Sequence, residues 1–145
     1  MTDIGVYTQT FQAEDLSWDL TKPQMGAEKG GTLAFAAFTQ SQHYPNGYIP
    51  SGCVLALATG GTYSGFLVPY LDAGSNGAAT AAGVLKRSIT VVRPDGSKKD
   101  KVGCALYIAF ADIDTSKLPF TSTNAAAGGY IDANAKTDLK LILFR

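Results

Sequence analysis

The sequence predicts a mainly β, single-domain protein with one short helix near its carboxyl end and an extended amino-terminal arm. Three observations carry this prediction. Apolar residues recur with a period of two in most of the strongly apolar runs, which is strand rather than helix spacing. Turn-forming Gly, Pro, Asp and Asn residues separate those runs at short intervals. With 145 residues, 46% of them hydrophobic, the chain is sized for one domain that buries roughly 70% of its unfolded surface. On this division residues 1–31 form the arm and residues 32–145 the β-rich domain.

The arm holds "DLSWDLT" at 15–21, where Leu16, Trp18 and Leu20 alternate with Ser17, Asp19 and Thr21. Such a segment is extended and has one strongly apolar face. The aperiodic run "KPQMGAEKGG" follows it, made of turn formers and charges. A strand tethered in this way either folds back on its own domain or adds to the sheet edge of another chain. From the residues alone both uses stand.

The domain begins with "TLAFAAF" (32–38), read as a strand with Leu33 and Phe35 on one face. In "CVLALA" (53–58), Cys53, Leu55 and Leu57 alternate with Val54, Ala56 and Ala58, so both faces are expected in the core. "TGGT" (59–62) links it to "GFLVPY" (65–70), where Pro69 cannot donate to a ladder, so the strand is at an edge or ends there. "SITVV" and "VGCALYIAF" flank "RPDGSKKDK" (93–101), whose Pro-Asp-Gly predicts a hairpin with a solvated, charged tip. "CALYIAFA" (104–111) is the best candidate for a central strand. Near the end, Asp132 is a reasonable N-cap, Ile131, Ala135 and Leu139 recur at spacing four, and Asp132 can pair with Lys136. "LKLILFR" (139–145) then closes the chain as a strand.

Composition narrows the function. Lys plus Arg equals Asp plus Glu at 12 each, and a neutral chain lacks the basic surface by which nucleic-acid binders displace counterions or by which polybasic segments hold membranes. No secretion signal is expected, since no apolar run precedes the first cation, Lys22. The longest apolar stretch, 104–111, is too short to span a bilayer. Cys53 and Cys104 both lie in apolar strand-like runs, where a reduced thiol serving as a small hydrophobe is the commoner state.

Candidates for chemistry are few. His43, the one histidine, sits in the turn-rich "SQHYPNGYIPSG" without a Gly-x-Ser-x-Gly elbow to serve, so a structural or exposed imidazole is expected. Asp112 and Asp114 share one side of an extended segment; such a pair can act as acid and base or hold a cation, but solvating a strand end is its commoner role. No catalytic, cofactor-binding or metal-binding residue is assigned, and no enzyme activity is expected. The run "DAGSNGAATAAGVL" (72–85) fails as a phosphate loop, because Val84 rather than Lys follows Gly83 and Gly74, Gly77 and Gly83 miss dinucleotide spacing. Strand-quality sequence on both sides also excludes a linker. Gly74 and Gly77 are expected to permit a tight reversal, with Asp72 and Asn76 bonding nearby backbone amides, while Gly83 lets a strand approach its neighbours closely.

Taken in order, Ile49-Pro50-Ser51-Gly52, Val54-Leu55, Pro69-Tyr70, the loop from Asp72 to Gly77, and Ala81-Ala82-Gly83-Val84-Leu85 resemble the signature of lambda-type bacteriophage head decoration proteins. "VGCALYIAFADIDTSKLPF", "IDANAKTDLKLILF", "DLSWDL" and "TLAFAAFT" resemble other parts of that family, so the likeness covers most of the chain. Its order and spacing, rather than any one motif, carry it. Cys53, where a small β-branched residue would be more ordinary, and a somewhat loose hairpin at 56–70 depart from the pattern without touching its turn chemistry; Pro50, Gly52, Asp72, Gly74, Gly77 and Gly83 are its turn positions here.

The resemblance implies a β-clip-like fold, a homotrimer, no cofactor, and binding to the major capsid protein on the outer surface of an expanded head at local threefold axes. The protein would be made in the host cytoplasm and would stabilise the shell against packaged DNA. It also implies an arm that extends a coat-protein sheet, with Leu16, Trp18 and Leu20 as anchors. On that reading removal of residues 1–20 leaves a folded trimer, and Trp18→Ala weakens capsid binding far more than stability. Two other expectations compete with it. One is a β-rich tail, baseplate or fibre subunit; the other is a carbohydrate- or small-ligand-binding module using Tyr44, Tyr48, Tyr63 or Tyr70 as a stacking platform.

Overall fold

The computed structural model describes residues 13–21, 26–121 and 127–145. The chain is a mainly β single domain, as its periodicity predicts. In order, its elements are β1 (Ala27–Ala34), α1 (Gln40–His43), β2 (Tyr48–Ile49), β3 (Val54–Leu57), β4 (Leu67–Pro69), β5 (Ala81–Leu85), β6 (Ile89–Thr90), β7 (Lys101–Ala109), β8 (Asp112–Ile113), α2 (Ala133–Asp138) and β9 (Leu143–Phe144). Three short 3-10 turns lie at Phe35–Ala37, Gly61–Tyr63 and Thr115–Lys117.

Five strands close a barrel in the order β1–β4–β3–β5–β7, with β7 returning to β1. Neighbours are antiparallel except β1 and β4, which meet in parallel at Leu33 and Leu67. β7 is the central strand expected from 104–111: it is the longest, and pairs with β1 over eight positions and with β5 at Val84 and Leu85. Two small sheets flank the barrel, β2–β6 and β8–β9.

Alternation along the strands divides the core in two. Leu33, Leu67, Leu55, Leu85 and Leu106, one from each barrel strand, pack together in one cluster; this layer fills the lumen, with Phe35, Phe38, Ile49, Cys53 and Phe120 in the same cluster. Val54, Ala56, Val68, Val84 and Tyr107 point the other way and are covered by Trp18, Ile113, Leu118, Ala135, Leu139 and Ile142. Both faces of β3 are therefore buried, as its sequence predicts, apart from Leu57 at 42% exposure. Each enclosed leucine contributes about 2–3 kcal/mol of burial.

The lumen has room for this layer because two strand positions carry no side chain. A Cβ on Gly31 would lie 2.4 Å from Leu67 Cδ1, and one on Gly83 would lie 2.7 Å from the Tyr107 carbonyl oxygen and 2.9 Å from Leu106 Cβ. The close approach expected of Gly83 is present.

Several local expectations are corrected. The boundary at residue 31 cuts through β1, which starts at Ala27 because β7 pairs with it from Ala109 to Lys101, with one register shift between Ala27 and Glu28. "TLAFAAF" is a strand only to Ala34 and then turns, so Phe35 faces the core from a 3-10 turn. A second helix, α1, lies at Gln40–His43. The charged tip at 93–101 does reverse, with Val92 bridging Lys98 and Gly96 at φ +82°, but β6 pairs with β2 rather than β7. α2 forms where predicted, capped by Asp132 accepting from the Ala135 amide at 2.7 Å. The Asp132 carboxylate takes Tyr70 Oη, at 3.0 Å, rather than Lys136. "LKLILFR" forms a strand only at Leu143–Phe144, since residues 139–142 turn to bring Ile142 into the core.

The Gly83 contact yields a test. Gly83→Ala is expected to lower unfolding free energy by about 1–3 kcal/mol, because the new methyl meets a backbone atom in a packed barrel. Gly103→Ala, on β7 with its nearest neighbour 3.9 Å away, stays within about 0.5 kcal/mol. Urea denaturation of the two variants compares them directly, and equal effects would refute the packing account.

Candidate functional site

Residues 13–21 cross the outer face of the barrel as a strap. Asp19 bridges Ile113 in antiparallel fashion, the Leu20 amide donates to the Asp112 carbonyl at 2.9 Å, and the Asp114 amide donates to the Trp18 carbonyl at 2.9 Å. The strap is thus tied to the free edge of β8 by one antiparallel bridge and the two backbone bonds beside it. The Trp18 indole Nε1 donates to Ser51 Oγ at 3.1 Å, and that hydroxyl donates to the Asp15 carbonyl at 2.9 Å. Tyr107 Oη donates to Asp19 Oδ2 at 2.9 Å. Glu14 holds the strap's start, accepting from the Ser88 amide and facing Arg87 Nη1 at 3.3 Å.

This geometry corrects the disposition expected of the arm. Trp18 is 1% exposed and packs edge-on to Tyr107, with ring centroids 6.2 Å apart, while Leu16 and Leu20 are half-buried. The segment of Leu16, Trp18 and Leu20 does reach a sheet edge, but the edge belongs to the same chain. Nor is the segment extended throughout as expected: the Asp19 amide donates to the Leu16 carbonyl at 3.0 Å and closes a turn at Ser17–Trp18 that drops the indole into the core. Burying a large indole against Tyr107 and Leu118 outweighs leaving it in water by several kcal/mol. The remaining arm residues, 1–12 and 22–25, lie outside the described residues.

The signature turns are all placed close to this strap or to the barrel's end. Pro50 lines a cavity of about 110 Å³ beside Trp18. Gly52, at φ +88°, takes a conformation a side chain would resist, and a Cβ there would lie 2.9 Å from Pro119 Cδ and 3.2 Å from Trp18 Nε1. Asp72 accepts from Asn134 Nδ2 at 2.6 Å and lies 3.4 Å from Tyr70 Oη; Asn76, itself at φ +55°, uses its backbone carbonyl to accept from the Thr59 amide at 2.8 Å. The amide-bonding role expected of these two side chains is therefore corrected: α2 brings Asn134 to Asp72 before any local amide reaches it. Gly77, at φ +90°, sits where a Cβ would meet the Leu57 carbonyl oxygen at 2.6 Å, and Gly74 lines a cleft of about 670 Å³ with Ala58, Tyr63, Val68 and Ala78.

The titratable candidates are engaged by neighbours. His43 is fully buried; its Nδ1 accepts from the Thr39 amide at 2.9 Å and its Nε2 lies 3.1 Å from the Gly128 carbonyl. Burial, the largest cause, holds its pKa below the ordinary 6.5. Asp112 takes Arg145 Nε on both oxygens, at 2.8 and 3.0 Å. Asp114 caps the next turn, accepting from the Ser116 hydroxyl and amide, which lower its pKa. The two carboxylates serve separate structural partners. Burial raises the Cys53 thiol and pushes Cys104 up to about 11; both cysteines are free. Among the described residues no group of three or more His, Cys, Asp or Glu side chains is arranged to hold a metal, and no helix is long and apolar enough to cross a membrane.

Two surface features were not legible in the sequence. Phe110 is 74% exposed and occupies the left-handed region at φ +56°. Its amide donates to the Leu141 carbonyl, and the Leu143 amide donates to the Ala111 carbonyl, both at 2.8 Å, so exposed Phe110, Leu141 and Leu143 form one apolar corner. The second feature is a groove of about 710 Å³ beside β2–β6, lined in part by Asn46, Tyr48 and Thr90. Of the four tyrosines considered as platforms, Tyr44 and Tyr70 are buried, and Tyr48 and Tyr63 are half-exposed.

No family model, curated protein or solved structure gives a match to this chain.

Trp18 and His43 give two tests. Trp18→Ala is expected to cost about 3–5 kcal/mol of unfolding free energy, measured by chemical denaturation, and removal of residues 1–20 to lower the melting temperature accordingly. A loss below about 1 kcal/mol would contradict the burial of the strap. For His43, the unfolded chain takes up a proton near pH 6.5 while the folded chain resists it to lower pH. Stability is thus complete above that value and falls on acidification towards the folded pKa. Urea midpoints level from pH 8 to 5 would exclude this coupling.

Proposed function

We propose that this protein decorates the outer surface of an expanded bacteriophage head, binding the major capsid protein as a homotrimer at local threefold axes and stabilising the shell against packaged DNA. The observation that carries the reading is the ordered series from Ile49 to Leu85 that resembles lambda-type decoration proteins. A β-clip-like description of the barrel and its flanking sheets belongs to the same proposal. A cementing role needs no cofactor, only many modest contacts repeated by symmetry, which a trimer multiplies through effective concentration.

The exposed corner of Phe110, Leu141 and Leu143 supports a protein-binding role. An aromatic held at positive φ costs of order 1–2 kcal/mol in backbone conformation, and its exposed ring recovers little of that by burial. Such strain is commonly retained where the side chain meets a partner, and aromatic anchors dominate many interfaces. We therefore assign the capsid contact to this corner in place of Trp18. A tail, baseplate or fibre subunit is the alternative virion role.

The test uses expanded, undecorated heads assembled from the cognate major capsid protein. The expected result is co-sedimentation, density at local threefold axes by electron microscopy, and a trimer by light scattering. Phe110→Gly, which relieves the backbone strain, is expected to raise unfolding free energy by about 1 kcal/mol and to lower head occupancy about tenfold or more. A monomer that leaves the heads bare would overturn the proposal, and density confined to tails would favour the alternative.

A further inference from the structure

We propose that the groove beside β2–β6 is a binding site for a neutral oligosaccharide, a function independent of capsid binding. Its volume, about 710 Å³, lies within the roughly 300–1,000 Å³ of small-ligand clefts. A neutral sugar requires an aromatic or apolar surface for its C–H face and fixed donors and acceptors for its hydroxyls. The half-exposed Tyr48 ring, with Pro45 and Val92, supplies the first. Asn46, Tyr48 and Thr90 supply the second, and among the described residues none of their side-chain polar groups has a protein partner. Gln40 Oε1 accepts from Lys98 Nζ at 2.7 Å, which leaves its amide NH2 for a ligand.

The backbone that carries these groups is fixed before any ligand arrives. Tyr48 and Thr90 stand directly opposite one another in the antiparallel β2–β6 pair, so both side chains occupy one face of that sheet. Asn46 lies in a turn closed by the Gly47 amide donating to the Tyr44 carbonyl at 3.0 Å, and the Gly47 carbonyl accepts from the amides of Val91 and Val92, each at 2.9 Å. Such preorganisation lowers the entropy lost on binding. Charge selects the ligand class. Glu14, the charged residue in the lining, is already engaged by Arg87 and the Ser88 amide, so nothing in the lining favours an anionic sugar over a neutral one.

The experiment titrates the full-length protein with cellotriose, maltotriose, tri-N-acetylchitotriose and sialyllactose, followed by heteronuclear NMR. At least one neutral trisaccharide is expected to bind saturably at about millimolar concentration or tighter, shifting the Asn46, Tyr48 and Thr90 amides, with sialyllactose binding no better. Asn46→Ala, at an exposed turn position, is expected to weaken that binding about threefold to tenfold with an unchanged melting temperature. Thr90→Val acts in the same direction, and Tyr63→Ala, in the other cleft, has no effect. Absence of saturable shifts with every neutral sugar, binding indifferent to Asn46→Ala and Thr90→Val, or preference for sialyllactose would each overturn the proposal. Occupation of the groove by a peptide segment of this chain would appear as the first of these outcomes.

Discussion

Closure of a five-strand barrel around five leucines is the constraint on which the rest of this structure depends. Leu33, Leu55, Leu67, Leu85 and Leu106 come from five different strands and share one lumen. So narrow a lumen admits that layer only if some inward positions stay empty, and Gly31 and Gly83 are those positions. Packing at interior density means that neither leucine nor glycine can change size without a shift of backbone. The barrel's pairing then sets where its ends open, and hence where every surface feature lies.

The outer face of β7 is the second organising element, and Tyr107 is its centre. Gly26 approaches the Tyr107 ring closely, Trp18 meets the ring edge-on, Lys86 Nζ lies 5.3 Å over it, and the Tyr107 hydroxyl reaches Asp19. Burial raises the Tyr107 phenol well above its ordinary pKa, so it remains a hydrogen-bond donor throughout the physiological range. One side chain thereby joins β7 to the strap, to the residue before β1 and to the residue after β5. The strap is part of the domain for this reason, and Phe110, Leu141 and Leu143 stay exposed beyond its reach.

Local signals of the sequence succeeded where the deciding interaction is itself local. The Asp132 cap, the reversal at Pro94–Gly96 and the end of β4 at Pro69 depend on residues a few positions apart. The two faces of β3 follow from a period of two, which needs no partner to be read. Gly83 reads as a close-approach position because a glycine inside a strand pattern has few other uses. Strand partners were harder: β6 joins β2 instead of β7 because the Gly47 turn captures the amides of Val91 and Val92.

By itself the sequence determined a neutral, mainly β domain, its apolar faces, its turn chemistry, and an apolar Leu16–Trp18–Leu20 segment that needs a surface to cover it. Only the tertiary structure decided which edge that segment takes, since alternation defines a face but not the surface that covers it. Here the β8 edge and the Tyr107 ring stand within reach, and pairing inside one chain avoids the translational and rotational entropy lost in joining two. The exposure of Phe110 was likewise a tertiary outcome. A run such as "CALYIAFA" promises a buried phenylalanine, and the left-handed turn at Phe110 between β7 and β8 sends it to the surface instead.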